Sequence, residues 1–243
     1  MELEKKSIFA ELAELIATEQ VEALESKGKL PIPKENYIKQ KAISLTEEWE
    51  TENTKFIGYM KKAKELLEED LNLLPPSEKK SYSEELLIAA IKLENPPTKE
   101  VVAELGSWQK ALGLNNETLL WIYNLGSRFF NEKHYEEAVS LFSFLTLLNP
   151  MIWEHWIALG FAQKELNQDI YALNSLSLAS LLNPHDPTSR FQSAKIHLKL
   201  SQFDEALLEL EELQKIITEQ NLEDLKPHLE FLLNQAKNKQ TGE

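Results

Sequence analysis

The apolar positions of this chain recur at helical intervals. Ile8, Leu12, Leu15, Ile16 and Val21 fall near helical spacing, which predicts an amphipathic helix over residues 1–27. The stretch GKLPIP at 28–33 breaks it. Helix resumes near Glu35 and runs to Leu73, whole or with one break, until LPPSEK stops it, because Pro75 and Pro76 cannot continue a helix. The next segment, SEELLIAAIKL, reads as a short helix capped at Ser83, with Ser81 and Glu84 forming the better capping box. After the breaker ENPPTKE, Thr98 starts a helix through Ala111 that GLNN closes. No stretch alternates as a strand would, and the polar tail QAKNKQTGE predicts fraying.

From Asn116 onward the pattern repeats. YEEAVSLFSFLTLLNP at 135–150 and DIYALNSLSLASLLNP at 169–184 are the same phrase 34 residues apart. Ala138, Ala172 and Ala206 keep that interval, and so do Gly126, Gly160 and Ala194; Leu125 and Leu159 each precede one of the glycines. A 34-residue period with small residues in these slots is the tetratricopeptide pattern. The small residues let two antiparallel helices approach, and Phe142, Leu176 and Leu210 fill the space between them. Asn-Pro ends the second helix and turns the chain into the next repeat. HYEEA, DIYALN and QFDEA mark the turn into each second helix.

The fold class expected is therefore all-α: a tetratricopeptide superhelix with repeats at 119–152, 153–186 and 187–220. The third repeat ends with Thr218 where the others have proline. A closing helix follows at 223–237, with Leu225, Leu229 and Leu232 as its apolar stripe, and the helix at 98–111 is placed to seal the other end. This divides the chain into an N-terminal helical extension (1–95), a repeat domain (96–237) and a flexible tail (238–243).

Charge narrows the partners. The chain carries a net charge of −14 and no basic stripe, so it lacks the cations that nucleic-acid binding requires. The cluster Lys61, Lys62 and Lys64 is followed at once by Glu65, Glu68, Glu69 and Asp70, which reads as a solvated helix face. The absence of cysteine excludes disulfides, thiolate metal sites and a cysteine nucleophile, and fits a reducing compartment. The acid-rich start has no apolar core of a signal peptide. The longest apolar run, Leu86 to Ile91, is far short of the ~20 residues needed to span a bilayer. A soluble intracellular protein without membrane insertion is expected.

Candidate chemistry is thin. No metalloprotease, phosphate-loop, dinucleotide or nucleophile-elbow motif occurs. The five histidines, His134, His155, His185, His197 and His228, show no metal-ligand spacing, and each reads as structural or solvated. Glu136–Glu137 and Glu211–Glu212 lie on polar helix faces, and Trp121, Trp153 and Trp156 open first helices, Trp156 in an ordinary packing slot. No catalytic residue, cofactor or metal is assigned.

What remains is a surface. Slots 2, 5, 9 and 12 of each first helix should line the inner face of the superhelix. In repeat one these are Leu120, Tyr123, Ser127 and Phe130; in repeat two Glu154, Ile157, Phe161 and Lys164; in repeat three Thr188, Phe191, Lys195 and Leu198. Tyr123, Phe130, Ile157, Phe161, Phe191 and Leu198 make that face apolar, which marks an interaction site for a peptide or protein unless the N-terminal segment or a partner subunit fills it.

LLWIYNLGSRFFNEKHYEEAVSLFSFLTLLNP followed by WIALGFAQKELNQDIYALNSLSLASLLNP resembles the bacterial type III secretion chaperones of the SycD/LcrH type, over about residues 98–237. The Tyr123 start, the HYEEA turn at 134–138 and the loose Leu159–Ala172 pattern carry the likeness. The resemblance implies a non-catalytic, all-helical adaptor in the bacterial cytoplasm. It would hold an extended apolar segment of a secreted translocator protein in its concave groove. It places the family's groove aromatic on Tyr123 and its turn tyrosine, a structural residue, on Tyr135. Family members often form homodimers through the segment before the repeats. Residues 1 to about 95 have no counterpart in the short members, leaving a second client, a secretion component or the groove itself as their target. The carboxylate-clamp type of repeat is rejected, because Tyr123, Ser127, Ala158, Thr188 and Gln192 put no Lys or Arg at its slots. A scaffold joining two partners through its two halves is the other expectation.

Overall fold

The structure, a computed structural model, describes residues 53–94 and 97–241. The chain divides into two compact units, 1–57 and 58–243. The helix expected at 1–27 and the start of the helix expected from Glu35 lie outside the described residues. Among the described residues the elements are α1 (Asn53–Leu73), α2 (Pro76–Glu94), α3 (Lys99–Leu105), α4 (Trp108–Leu112), α5 (Asn116–Asn131), α6 (Tyr135–Leu148), α7 (Trp153–Glu165), α8 (Asp169–Leu182), α9 (Pro187–Lys199), α10 (Phe203–Glu219), a single 3₁₀ turn (Glu223–Leu225) and α11 (Lys226–Thr241). No strand occurs among them.

Helices α5–α6, α7–α8 and α9–α10 are the three repeats, each pair packed against itself and against the next. The close approach that the small slots anticipate is real. A Cβ on Gly126 would lie 2.8 Å from the Phe142 ring, and one on Gly160 would lie 2.9 Å from Leu176 Cγ. Ala138, Ala172, Ala194 and Ala206 are fully buried, as the same crossings require.

Each repeat turns between its helices in the same way. Lys133, Asn167 and Ser201, again 34 apart, adopt left-handed backbone at φ 65°, 57° and 59°. The residue after each donates its amide N–H to the carbonyl five residues back: His134 to Phe129, Gln168 to Gln163 and Gln202 to His197. Lys133, Asn167 and Ser201 themselves bond to Phe130, Lys164 and Leu198. These paired bonds are a Schellman motif, which satisfies the last carbonyls of the first helix and reverses the chain. The turn after each second helix is different. Asn149 leaves the helix in extended backbone ahead of Pro150, and Asn183 leaves it non-helical at φ -134° and ψ 84° ahead of Pro184. The Pro150 carbonyl then accepts the Trp156 indole N–H at 2.7 Å, pinning the next helix.

The segment before the repeats differs from the expected elements in three ways. First, α2 begins at Pro76, so Ser81 and Ser83 sit inside it rather than capping it. Proline is favoured in the first turn of a helix, where its missing N–H has no partner to lose. Ser83 Oγ instead donates to the Lys79 carbonyl one turn back. Second, the helix expected over 98–111 is two. Thr98 caps α3 as anticipated, but Gly106 takes left-handed backbone and Ser107 caps α4, whose last turn ends on left-handed Gly113. A glycine followed by a serine is a stop and a start. Third, residues 58–94 belong to the same compact unit as the repeats.

Those helices dock on repeat one. Ala63, Leu66, Leu67 and Asp70 form the buried stripe of α1 at helical spacing. Asp70 Oδ2 accepts the Trp121 indole N–H at 2.8 Å, and its Oδ1 accepts from Arg128 at 2.6 Å. On α2, Tyr82 stacks on Trp121 with ring centroids 4.7 Å apart. The Glu85 carboxylate accepts from the Asn115 amide N–H at 3.1 Å, from the Asn115 side chain and from Thr118 Oγ1 at 2.6 Å, all at the start of α5. The other end is closed by α11. Leu229, Leu232 and Ala236 bury against Leu210, Leu213 and Ile217 of α10, and Leu225 packs on the same cluster. The helix runs past Lys237 to Thr241, into the segment expected to be a tail.

Candidate peptide groove

The first helices of successive repeats touch directly, α5 with α7 and α7 with α9. That contact sets the first helices side by side along one face of the stack. Nine of the ten groove positions named from the sequence have surface to offer. Tyr123, Ser127, Phe130, Ile157, Phe161, Lys164 and Phe191 are half-buried, and Leu120 and Lys195 are exposed. Leu198 is the correction. It is 5% exposed and belongs to the core cluster with Ala206 and Leu210, so it supplies no groove surface. The first helix of repeat three tips that position toward the helix it pairs with and away from solvent.

The half-buried aromatics are braced from below. Tyr123 packs on Phe142 (centroids 5.6 Å) and on the His155 ring (6.0 Å). Burial, and then the charge of Glu154, hold its phenol above its usual pKa of 10.0, so it stays a neutral hydroxyl. Phe130 meets Tyr135 edge-on at 5.4 Å, which gives the turn tyrosine the structural role expected of it. Phe191 makes an edge contact with His228 of α11 at 6.4 Å, so the closing helix bounds the third-repeat end.

Two lysines lie over groove rings. Lys164 Nζ is 5.4 Å from the Phe161 centroid, and Lys195 Nζ is 5.5 Å from that of Phe191. Lys164 also donates to Gln192 Oε1 at 3.3 Å, joining α7 to α9.

His155, which the sequence leaves as structural or solvated, is structural: it is 5% exposed beneath Tyr123. Burial pushes its pKa down to about 4, although a hydrogen bond to the Leu145 carbonyl opposes the shift. Among the described residues its Nδ1 has no hydrogen-bond partner. Only the slot before Trp156, on the side of α7 that faces α6, could have signalled this. Among the described residues no cluster of His, Asp or Glu could hold a metal ion, and no helix is long and apolar enough to cross a membrane.

No protein-family model matches this sequence, and no curated protein matches it significantly. Solved structures do. A type III secretion system complex from Aeromonas hydrophila aligns over 59% of this chain and 97% of that one, at 22% identity and a TM-score of 0.56. PcrH of Pseudomonas aeruginosa, in complex with the chaperone-binding region of PopD, aligns over 53% and 97% at 24% identity and a TM-score of 0.51. The Yersinia enterocolitica translocator chaperone SycD aligns over 53% and 97% at 22% identity and a TM-score of 0.50. The repeat fold of this chain is the fold of those type III secretion chaperones.

Proposed function

We propose that this protein is a non-catalytic cytoplasmic chaperone that binds an extended apolar segment of a secreted translocator protein in the groove formed by α5, α7 and α9. The carrying observation is the row of half-buried large side chains on the inner helices: Tyr123, Phe130, Ile157, Phe161 and Phe191. Rings held from below by Phe142, His155, Tyr135 and His228 offer apolar surface without collapsing into the core. An apolar client segment laid over them leaves water, and that transfer masks it until handover. The fold shared with PcrH, which was solved in complex with the chaperone-binding region of PopD, supports this reading.

The test is binding. Tyr123→Ala with Phe161→Ala should keep the helical circular dichroism of the wild type but co-purify far less client from the native cells. An unchanged pull-down with that pair would remove the groove from the account. It would then favour the second reading, a scaffold that works through surfaces outside the repeats.

A further inference from the structure

We propose that the groove prefers apolar segments that carry a carboxylate, and that Lys164 and Lys195 read this carboxylate at the end built by repeats two and three. The proposal rests on the groove reading above and names the class of segment that the groove selects.

The charge distribution motivates it. The chain has a net charge of −14, so its average surface repels acids. The inner-face slots run the other way. They hold Lys164 and Lys195 and a single acid, Glu154. Glu154 sits at the opposite end, near enough to Tyr123 for its charge to act on the phenol. Along α7 the groove slots therefore run from acid at Glu154 to base at Lys164, and Lys195 adds a second cation on the neighbouring α9.

Donor capacity points the same way. An ammonium group has three N–H donors. Lys164 directs one to Gln192 at 3.3 Å and approaches Glu165 at 3.3 Å. Among the described residues, Lys195 has no carboxylate or carbonyl partner, only the Phe191 ring at 5.5 Å. A ring face is a weaker partner for an ammonium than a carboxylate, which accepts a charge-assisted hydrogen bond. Both lysines can take a ligand carboxylate while Phe161 and Phe191 receive its neighbouring apolar side chains. One segment then satisfies rings and cations together. These are not the slots of the carboxylate-clamp repeats, so the carboxylate read here belongs to an Asp or Glu side chain within the segment.

The experiment uses the full-length protein and short synthetic apolar peptides, acetylated and amidated so that one Glu is the only charge. The Glu is moved along the peptide, and each peptide has a Gln isostere; affinities are read by calorimetry. With Glu toward one peptide end, binding should be about fivefold tighter than for the isostere at low salt. With Glu at the other end, it should be no tighter. Lys164→Gln with Lys195→Gln should abolish the preference, so that each Glu peptide binds like its Gln isostere, whereas Lys215→Gln, on α10, should leave the preference intact. Equal affinity for Glu and Gln peptides at every position, or a preference that survives the double variant, would overturn the proposal and leave the groove standing. If no peptide of either kind binds, the groove reading itself falls and takes the proposal with it.

Discussion

The carboxylate of Asp70 accepts the indole N–H of Trp121 at 2.8 Å, across 51 positions of sequence, and binds Arg128 at 2.6 Å with its other oxygen. Asp70 is only 6% exposed, so this carboxylate is a buried polar fastening between α1 and the first repeat.

Its removal should loosen that junction. Asp70→Ala leaves a buried indole N–H without an acceptor, and the expected loss is about 2–4 kcal/mol in urea unfolding. Arg128→Ala should cost less, about 1 kcal/mol or below, because the Arg128 side chain is 51% exposed and water replaces its partner. Equal stability of wild type and Asp70→Ala would show that α1 does not depend on the contact.

The glycine slots predict a different response. Gly126→Ala drives a methyl to 2.8 Å from Phe142, and Gly160→Ala drives one to 2.9 Å from Leu176. Phe142 and Leu176 are both buried, so neither can swing away into solvent. Each substitution should destabilise by about 1–3 kcal/mol through overpacking, despite alanine's better helix propensity. Gly126→Ala should also disturb the groove, since Phe142 supports Tyr123; a shifted Tyr123 fluorescence or weaker client binding would register it. A stabilised Gly126→Ala protein would mean that the helices have room to part.

What the sequence made legible was local and periodic. Gly126, Ala138, Phe142 and Pro150 announce the repeat because each slot has one steric task, and the task recurs every 34 residues. The same register named ten groove positions, of which nine are half-buried or exposed. Leu198 failed because burial in the last repeat depends on the helices closing it, and a slot rule carries no information about those neighbours. The Gly106–Ser107 break is a signal that was present and overlooked: Ser107 accepts from the Lys110 amide N–H as any N-cap would. The docking of α1 and α2 was not readable. Asp70 sits in a run of acids, and nothing local distinguishes it from Glu68 or Glu69 until Trp121 and Arg128 are brought to it. The left-handed turn residues escaped for a related reason. Lys133, Asn167 and Ser201 share a backbone conformation and no side-chain chemistry.

Those turn residues give a stabilising prediction. A lysine at φ 65° bears a Cβ penalty that glycine does not, and among the described residues no hydrogen bond from the Lys133 side chain offsets it. Lys133→Gly should therefore raise stability by about 0.5–1 kcal/mol, although the unfolded chain gains freedom that takes part of this back. Asn167→Gly should gain less, because asparagine tolerates this backbone and Asn167 Oδ1 accepts from Lys199 at 3.0 Å. Thermal melts of the two variants side by side would check the order; a Lys133→Gly protein that melts below wild type would contradict it.

The pH dependence should centre on His155. Its folded pKa is lowered to about 4 by burial, below the 6.5 of the free side chain. The sign follows from proton counting. Above about pH 6.5 neither state binds the proton, and the histidine contributes nothing to the slope. Between about 6.5 and 4 the unfolded chain is protonated while the folded one is not, so stability falls as the pH falls, by roughly 2 kcal/mol at pH 5. Below about 4 both states carry the proton, and the loss levels off. His155→Gln can still donate to the Leu145 carbonyl but cannot take up a proton, so the difference between wild type and variant isolates the effect. Unfolding free energies measured in urea from pH 8 to pH 4.5 should converge toward acid for the pair if the variant starts lower, and should diverge if it does not. The ring's own NMR titration decides the matter independently: a midpoint near 6.5 would mean that water reaches His155, and that the floor beneath Tyr123 is open.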